Sequence, residues 1–546
     1  MTSRSLGHRA PLLWLVLPLM AGLAAGKASD FVPVAWLLAG AFAAAVAANV
    51  AAWRGSPGWV PAMTVAMLLA GSASYPLHRA RLSAWDALPP REARLALRVD
   101  RVFPQIDAKQ TAGLATVVDA PSHLRELTGQ RLYFSLAMRM GEAAPVRSTV
   151  VAAVGVLVAL PRNPPADSFD GYLSSAGMNF RLTRGRLLAV EQPPTRFQAR
   201  LLRVAEKLNA WLGAGVATKR PELTAVYRAM MLGQKHELSD EQDALFMHSG
   251  TMHLFAISGL HIGIVALALH ALLAAARCPR PLAALIALAV LWLYVDTTGA
   301  SPSAVRAFLL VACHEVAFVL RRPANGLASL SAAALIVLLV EPMALFSASF
   351  QMSYGVVLAI LCFGLPLAER LAVRFAPFKH LPQVTWAWWQ QIIGVAVRWF
   401  WPAAGIGVAA SLVSAVTGPA FFNVFAPGGF FSNLALVPLA MVVIVAGFAS
   451  VVAGAAGLVA LGGLFNHAAL TVLIAMDALI RFGVRLPGGW WPAQWRVAWA
   501  APATLGLLLT TLLVGYATGW RRERGGWAPP FAVAALALVF GVKFGT

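Results

Sequence analysis

"HSGTMHLFAISGLHIGIVALAL", residues 248–269, places three histidines and two serine–glycine pairs at the head of an otherwise apolar run. The apolar part has the length and composition of a helix that enters a bilayer, so the polar head marks the mouth of a span. The rest of the chain has the same character. Of its 546 residues 59% are hydrophobic and 12% charged, and the mean hydropathy is +0.70, far from the mixed composition of a soluble domain. Runs near the roughly 20 residues that cross a hydrocarbon core recur, which predicts a polytopic α-helical membrane protein of roughly a dozen spans rather than a barrel of short alternating strands.

Three spans are expected first, near 11–26, 31–52 and 58–75. The first follows a basic stub, Arg4 and Arg9, and is read as a retained span because more apolar runs follow at once. From 78 to 221 the chain turns polar and arginine-rich. It carries five β-type runs, "LALRV", "LATVV", "RLYFSLAM", "STVVAAVGVLVAL" and "FRLTRGRLLAV". Five strands with turns between them predict an inserted small β-barrel, OB-like in strand number. Ser239 with Gln242 three residues on predicts a capped, amphipathic lead-in helix. Further spans are expected near 253–276, 281–299, 303–320, 326–345, 350–368, 403–424, 431–461 (long enough to be broken), 463–484, 499–519 and 528–544. The tryptophan-rich segments 386–401 and 488–495 read as interfacial. This divides the chain into N-terminal helices (1–77), the β-domain (78–221), a transmembrane region (222–520), and a basic loop with a last helix (521–546).

Orientation follows from the short loops. Arg4 and Arg9, Arg54, Arg277 with Arg280, Arg321 with Arg322, Arg370 with Arg374 and Lys379, and Arg521, Arg522 and Arg524 are assigned to the cytoplasm by the positive-inside rule. The β-domain is then expected outside the inner membrane. It holds 21 Lys and Arg against 11 Asp and Glu between 78 and 221, which suits a polyanion or anionic headgroups. The net charge of +20 has the same sign. Three cysteines, Cys278, Cys313 and Cys362, lie in or beside apolar segments without ligand spacing, so structural thiols and no metal or other cofactor are expected.

His253, Ser258 and His261 fall at relative positions 0, 5 and 8, and on a continuous helix they form one polar stripe. Gly250, Gly259 and Gly263 thin it for a neighbouring backbone or a substrate. A buried hydrogen-bond network, a hydrophilic path, and a serine nucleophile with a histidine base all fit these residue types, although the stretch has no carboxylate to orient the imidazole. Ser301 and Pro302 start a helix with Arg306 one turn inside, where an arginine needs a partner such as a phosphate. His314 and Glu315 are expected to pair with each other or to sit in the core. Gln351, Ser353 and Tyr354 follow the break at Glu341-Pro342, and Asn423 and Asn433 flank a Gly/Pro-broken, phenylalanine-rich loop.

"HSGTMHLFAISGLHIG", "SPSAVRA", "SASFQMSYGVVLAI" and "FFNVFAPGGFFSNLALVP", in that order, resemble the ComEC family of competence proteins, and "NPPADSFDGYLSSAGM" resembles the end of that family's extracytoplasmic domain. The resemblance implies an inner-membrane channel for uptake of single-stranded DNA into the cytoplasm during natural transformation, with an OB-like domain outside. It implies that His248, Gly250, His253, Ser258, Gly259, His261, Ser301, Pro302, Arg306, Gln351, Ser353, Asn423 and Asn433 line or gate the path. Expected partners are single-stranded DNA, membrane lipids, an extracytoplasmic DNA receptor and a cytoplasmic helicase, ATPase or DNA-binding protein, since no phosphate-binding loop is present. A homo-oligomer is compatible with this reading. Many relatives continue into a metallo-β-lactamase-like nuclease domain. No His-x-His-x-Asp-His run occurs here, so a short form lacking that domain, and no enzyme, is expected. The rival readings are a membrane-embedded hydrolase using Ser258 and His261, and a transporter of a smaller anionic solute.

Overall fold

The five β-type runs become a closed barrel. In the computed structural model the described residues are 10–28, 32–103, 109–138, 144–255, 257–322, 325–521, 523 and 525–545. Arg4, Arg9, Arg522 and Arg524, used above for orientation, lie outside them. Strands β1 (Arg91–Phe103), β2 (Gln110–Asp119), β3 (Arg131–Ala137), β4 (Val150–Ala159) and β5 (Phe180–Gln192) close in the order β1-β2-β3-β5-β4. β1 pairs with both β2 and β4, and β3 runs parallel to β5. A five-stranded Greek-key barrel of this kind is consistent with an OB fold. Alternation along β3 buries Leu132, Phe134 and Leu136, which meet Leu95, Leu97, Val151 and Leu182 inside. Gly155 faces Gly185 where β4 and β5 press together; a Cβ on Gly155 would lie 2.8 Å from the Gly185 Cα.

Three helices precede the barrel: α1 (Leu13–Ala28), α2 (Val34–Trp53) and α3 (Trp59–Arg79). Arg79, at the end of α3, is buried against the barrel and donates to the carbonyls of Met178 (2.6 Å) and Ser174 (3.2 Å). Inside the barrel's last connection lies the short helix α4 (Phe169–Ser175). After β5 comes α5 (Arg196–Gly213), which the β-type reading of this region did not predict. Its apolar side, Leu201, Leu208 and Leu212, is buried, and Arg200, Arg203 and Lys207 are exposed, as in an amphipathic helix.

Helix α6 (Pro221–Leu232) leads to α7 (Asp240–His248). The expected capping box of α7 forms in full: Ser239 Oγ accepts from Gln242 N at 3.2 Å and Gln242 Oε1 from Ser239 N at 3.1 Å. The remaining helices are α8 (Gly259–Ala275), α9 (Arg280–Thr297), α10 (Pro302–Val319), α11 (Gly326–Val340), α12 (Ala348–Ala359), α13 (Leu365–Arg374), α14 (Trp388–Phe421), α15 (Gly429–Ala455), α16 (Val459–Arg485), α17 (Ala500–Thr518) and α18 (Ala528–Leu536). Among the described residues nine helical segments have the length and apolar composition of a membrane span, and four shorter apolar helices accompany them. The chain is a polytopic α-helical membrane protein with an inserted β-barrel.

Several local expectations change. Residues 386–401 are not a separate interfacial segment, because from Trp388 they run on through Pro402 as α14, 34 residues and about 51 Å long. The long run near 431–461 breaks near its end rather than at Pro438: α15 is continuous to Ala455, residues 456–458 turn, and α16 begins at Val459. The span near 350–368 extends from Ala348 to Arg374 and contains a π-helical turn at Ile360–Gly364. Trp491–Trp495 form β7, paired with β6 (Val424–Phe425) on one side and β8 (Val542–Phe544) on the other. That small sheet ends the last apolar helix at Gly541, short of the expected 544.

Candidate functional site

Polar links fix the barrel to one end of the bundle. Arg147, in the loop before β4, pairs at 2.6 Å with Asp296, whose side chain is 6% exposed, at the C-terminus of α9. Asn423, just past α14 and in the left-handed region (φ 55°), donates to Asp167 at 3.2 Å, and Gly177 lies against Met343. The starts of α8 and α10 share this end, since Ser303 Oγ donates to the Ile257 carbonyl at 2.8 Å.

At the start of α8 the predicted stripe changes form. The helix does not run continuously from His253: residues 252–255 are a 3-10 turn, Ser258 is the N-cap, and α8 begins at Gly259. Serine and the lack of a helical partner for the first N–H groups explain the break. Ser258 and His261 still meet. The Ser258 backbone N–H donates to His261 Nδ1 at 3.3 Å, and the hydroxyl lies 3.0 Å from the same nitrogen. Histidine thus takes the place of Glu or Gln in a capping box. Because Nδ1 accepts, the ring proton sits on Nε2, which is buried and has no partner among the described residues.

This geometry speaks against a Ser–His hydrolase, in which the second ring nitrogen needs an orienting acceptor. His253 is exposed and bonds the Gly250 backbone, and it is near enough to His261 to interact with it electrostatically. The Asn433 amide lies 3.5 Å from the Gly250 carbonyl. Gly250 itself has φ +69°, and a Cβ there would sit 3.2 Å from the Gly429 Cα, so two backbones touch where only glycine fits. His248, which closes α7, stacks on Trp490 with centroids 3.6 Å apart and planes 3° apart. This desolvation by burial lowers its pKa.

Arg306 lies one turn inside α10, behind the Ser301 cap and Pro302. It is 4% exposed and donates Nη2 to the carbonyl and the hydroxyl of Ser349, at 2.7 and 2.5 Å. Its Nε is buried without a partner, and it makes no ion pair among the described residues. Gln351 donates to the Leu345 carbonyl at 3.1 Å, and Ser353 is half-buried on the same helix, α12. Gly259 faces Ala307, the residue after Arg306; a Cβ added at Gly259 would lie 4.0 Å from the Ala307 Cβ. The structure therefore gathers His248, Gly250, His253, Ser258, His261 and Asn433 around the start of α8, and Ser301, Arg306 and Gln351 around the adjoining start of α10 and α12. Asn423 stands apart, at the barrel contact.

Sequence reasoning missed three participants. Ser349 stands out in the sequence only as part of a motif, Trp490 only as an interfacial-type ring, and Asp296 carries no signal of its own. Neither the expected pairing of His314 with Glu315 nor a core position for His314 is found: His314 is exposed, and half-buried Glu315 reaches across to His270 on α8 at 3.0 Å. That pair and His314 line a cavity of about 360 Å³ between α8, α10, α11 and the α12 segment, away from the barrel.

Fold and site define a membrane-embedded helical bundle whose polar, glycine-thinned helix starts lie beneath a β-barrel. The chain belongs to the competence protein family: the family model described as "Competence protein" matches residues 230–517, more than half of it. It is similar to ComE operon protein 3 of Bacillus subtilis (strain 168), with 32% identity over 136 residues, 25% of this chain and 18% of that protein. The match thus spans less than a fifth of the relative. No solved structure matches the chain.

Proposed function

We propose that this protein forms the inner-membrane path by which single-stranded DNA reaches the cytoplasm during natural transformation, with the barrel on the outer face. The observation that carries the reading is Arg306. Among the described residues this buried guanidinium is hydrogen-bonded to a serine hydroxyl and carbonyl, has one nitrogen unpaired and feels Glu341 without an ion pair, which leaves it able to meet a passing phosphate. Family membership and the excess of ten positive charges between 78 and 221 support it. In this reading the barrel collects DNA by its basic surface, His253 and Ser258 receive the strand, and the packed starts of α8 and α10 keep the path shut at rest. A cytoplasmic helicase, ATPase or DNA-binding protein pulls, and an extracytoplasmic receptor delivers.

Deletion of the gene in a transformable host tests this. DNA protected in the periplasm should persist while none reaches the cytoplasm. Transformation at the wild-type level would defeat the reading and leave transport of a smaller anionic solute.

A further inference from the structure

Four aromatic rings from three elements meet on the outside of the barrel, apart from the Trp85–Phe180 pair in its core. Phe103 at the end of β1 stacks near Tyr133 of β3 (6.2 Å, 28°), and Phe169 and Tyr172 of α4 stack on each other (6.1 Å, 23°). Tyr133 joins the two pairs, 5.1 Å from Phe169. Phe103 and Tyr133 rest on a small apolar floor of Leu114, Leu160, Leu173 and Met178. Phe169 is 48% and Tyr172 41% exposed, and the Arg101 guanidinium lies over the Phe103 ring at 5.6 Å. The acidic neighbours are occupied: Asp170 is paired with Arg181 at 2.6 Å and Asp167 accepts from Asn423.

Asn423 leads directly to more rings. Phe425, two residues on, stacks with Trp491 (6.3 Å, 15°), and Trp490 stacks on His248. We infer that these rings form a stacking track for the unpaired bases of a single-stranded polynucleotide, beginning at Phe169 and Tyr172 and ending at Trp490 and His248. Stacking of a base on an aromatic face tolerates any sequence, and a duplex cannot offer its bases in this way. Bases would use the ring surface left open: Phe169, Tyr172 and Trp491 are exposed, and the Arg101 guanidinium over Phe103 adds a charge for the backbone. The inference rests on the proposed function for its ligand.

The test compares the full-length chain with its Phe169→Ala/Tyr172→Ala variant in nanodiscs, binding a fluorescent oligothymidine and a duplex of equal length across a salt series. The double variant should bind oligothymidine at least tenfold more weakly, with duplex affinity and the salt slope unchanged, because no phosphate contact is removed. Tyr172→Phe should bind as wild type does. Unchanged oligothymidine affinity in the double variant would overturn the track, including the case where only its membrane association weakens. Equal loss on both DNAs with an altered salt slope would overturn it too. If the unaltered protein binds neither DNA at low salt, the proposed function fails with it.

Discussion

The barrel and the bundle handle positive charge in opposite ways. On the barrel, Arg81 and Arg162 both grip Asp86, at 2.6 and 2.7 Å, and Arg181 grips Asp170. Each of these arginines is at least partly in water, so pairing adds little and removing one leaves little behind. In the bundle, Arg306 is out of water, and among the described residues its hydrogen bonds go to Ser349. Desolvating a charge without a close ion pair is costly, and Arg79, buried against the barrel on two carbonyls, shows that such an arrangement also joins segments. The same residue type is thus solvated, ion-paired charge in one region and, among the described residues, buried charge without a close ion pair in the other.

The comparison is easiest to break at Arg306. Arg306→Ala should abolish DNA internalisation while the protein remains in the membrane, and Arg306→Lys should restore it in part, since lysine keeps the charge but loses the two-pronged geometry. Gly250→Val should be nearly as severe, because the added side chain meets Gly429 and the φ of +69° disfavours a branched residue. A folded, fully active Gly250→Val protein would show that the two backbones need not touch.

The junction between the regions should respond less. Arg147→Ala leaves the Asp296 carboxylate buried and unpaired, a loss of roughly 1 to 3 kcal/mol given that Arg147 is itself half in water. It should lower the melting temperature in detergent, and Asp296→Asn in the same background should recover most of the loss. Ser258→Ala removes the hydroxyl that meets His261 Nδ1 and should cost about 0.5 to 1.5 kcal/mol, with DNA transport reduced but present. A hydrolase would instead be dead and labelled by serine-directed reagents in its unaltered form.

The smallest effect is expected on the barrel. Partial burial pushes the Asp86 carboxyl up, but hydrogen bonds and charge from Arg81 and Arg162 outweigh it and hold the pKa below the ordinary carboxylate value. Such a group contributes stability above its unfolded pKa, near 3.9, and loses it as pH falls through the lower folded value. Asp86→Asn should therefore remove a modest stabilisation at neutral pH and leave the acid end of the profile unchanged. A variant as stable as the parent at pH 7 would show that the Arg–Asp–Arg group is idle.

Much of this was legible in the sequence because the signals were local. Alternation over "RLYFSLAM" marks a strand whichever neighbours it finds, and Ser239 with Gln242 marks a helix start by its own hydrogen bonds. The β7 strand was not legible, since its partners lie about 65 residues before and 50 after it and its tryptophans equally suit a membrane interface. Helix α5 was hidden by arginines that seemed to continue the β-domain. At the site, residue types pointed to Ser258 and His261, whereas the break at Gly259 and the roles of Ser349, Trp490 and Asp296 depend on contacts between distant segments.

The central claim is that the buried polar cluster at the start of α8 and α10 passes DNA. Labelled DNA offered to a transformable strain carrying only the Arg306→Ala or the His261→Ala protein, at wild-type membrane levels, tests it most directly. The account predicts DNA held in the periplasm and none in the cytoplasm for both. Wild-type arrival of DNA in the cytoplasm in both strains would contradict it.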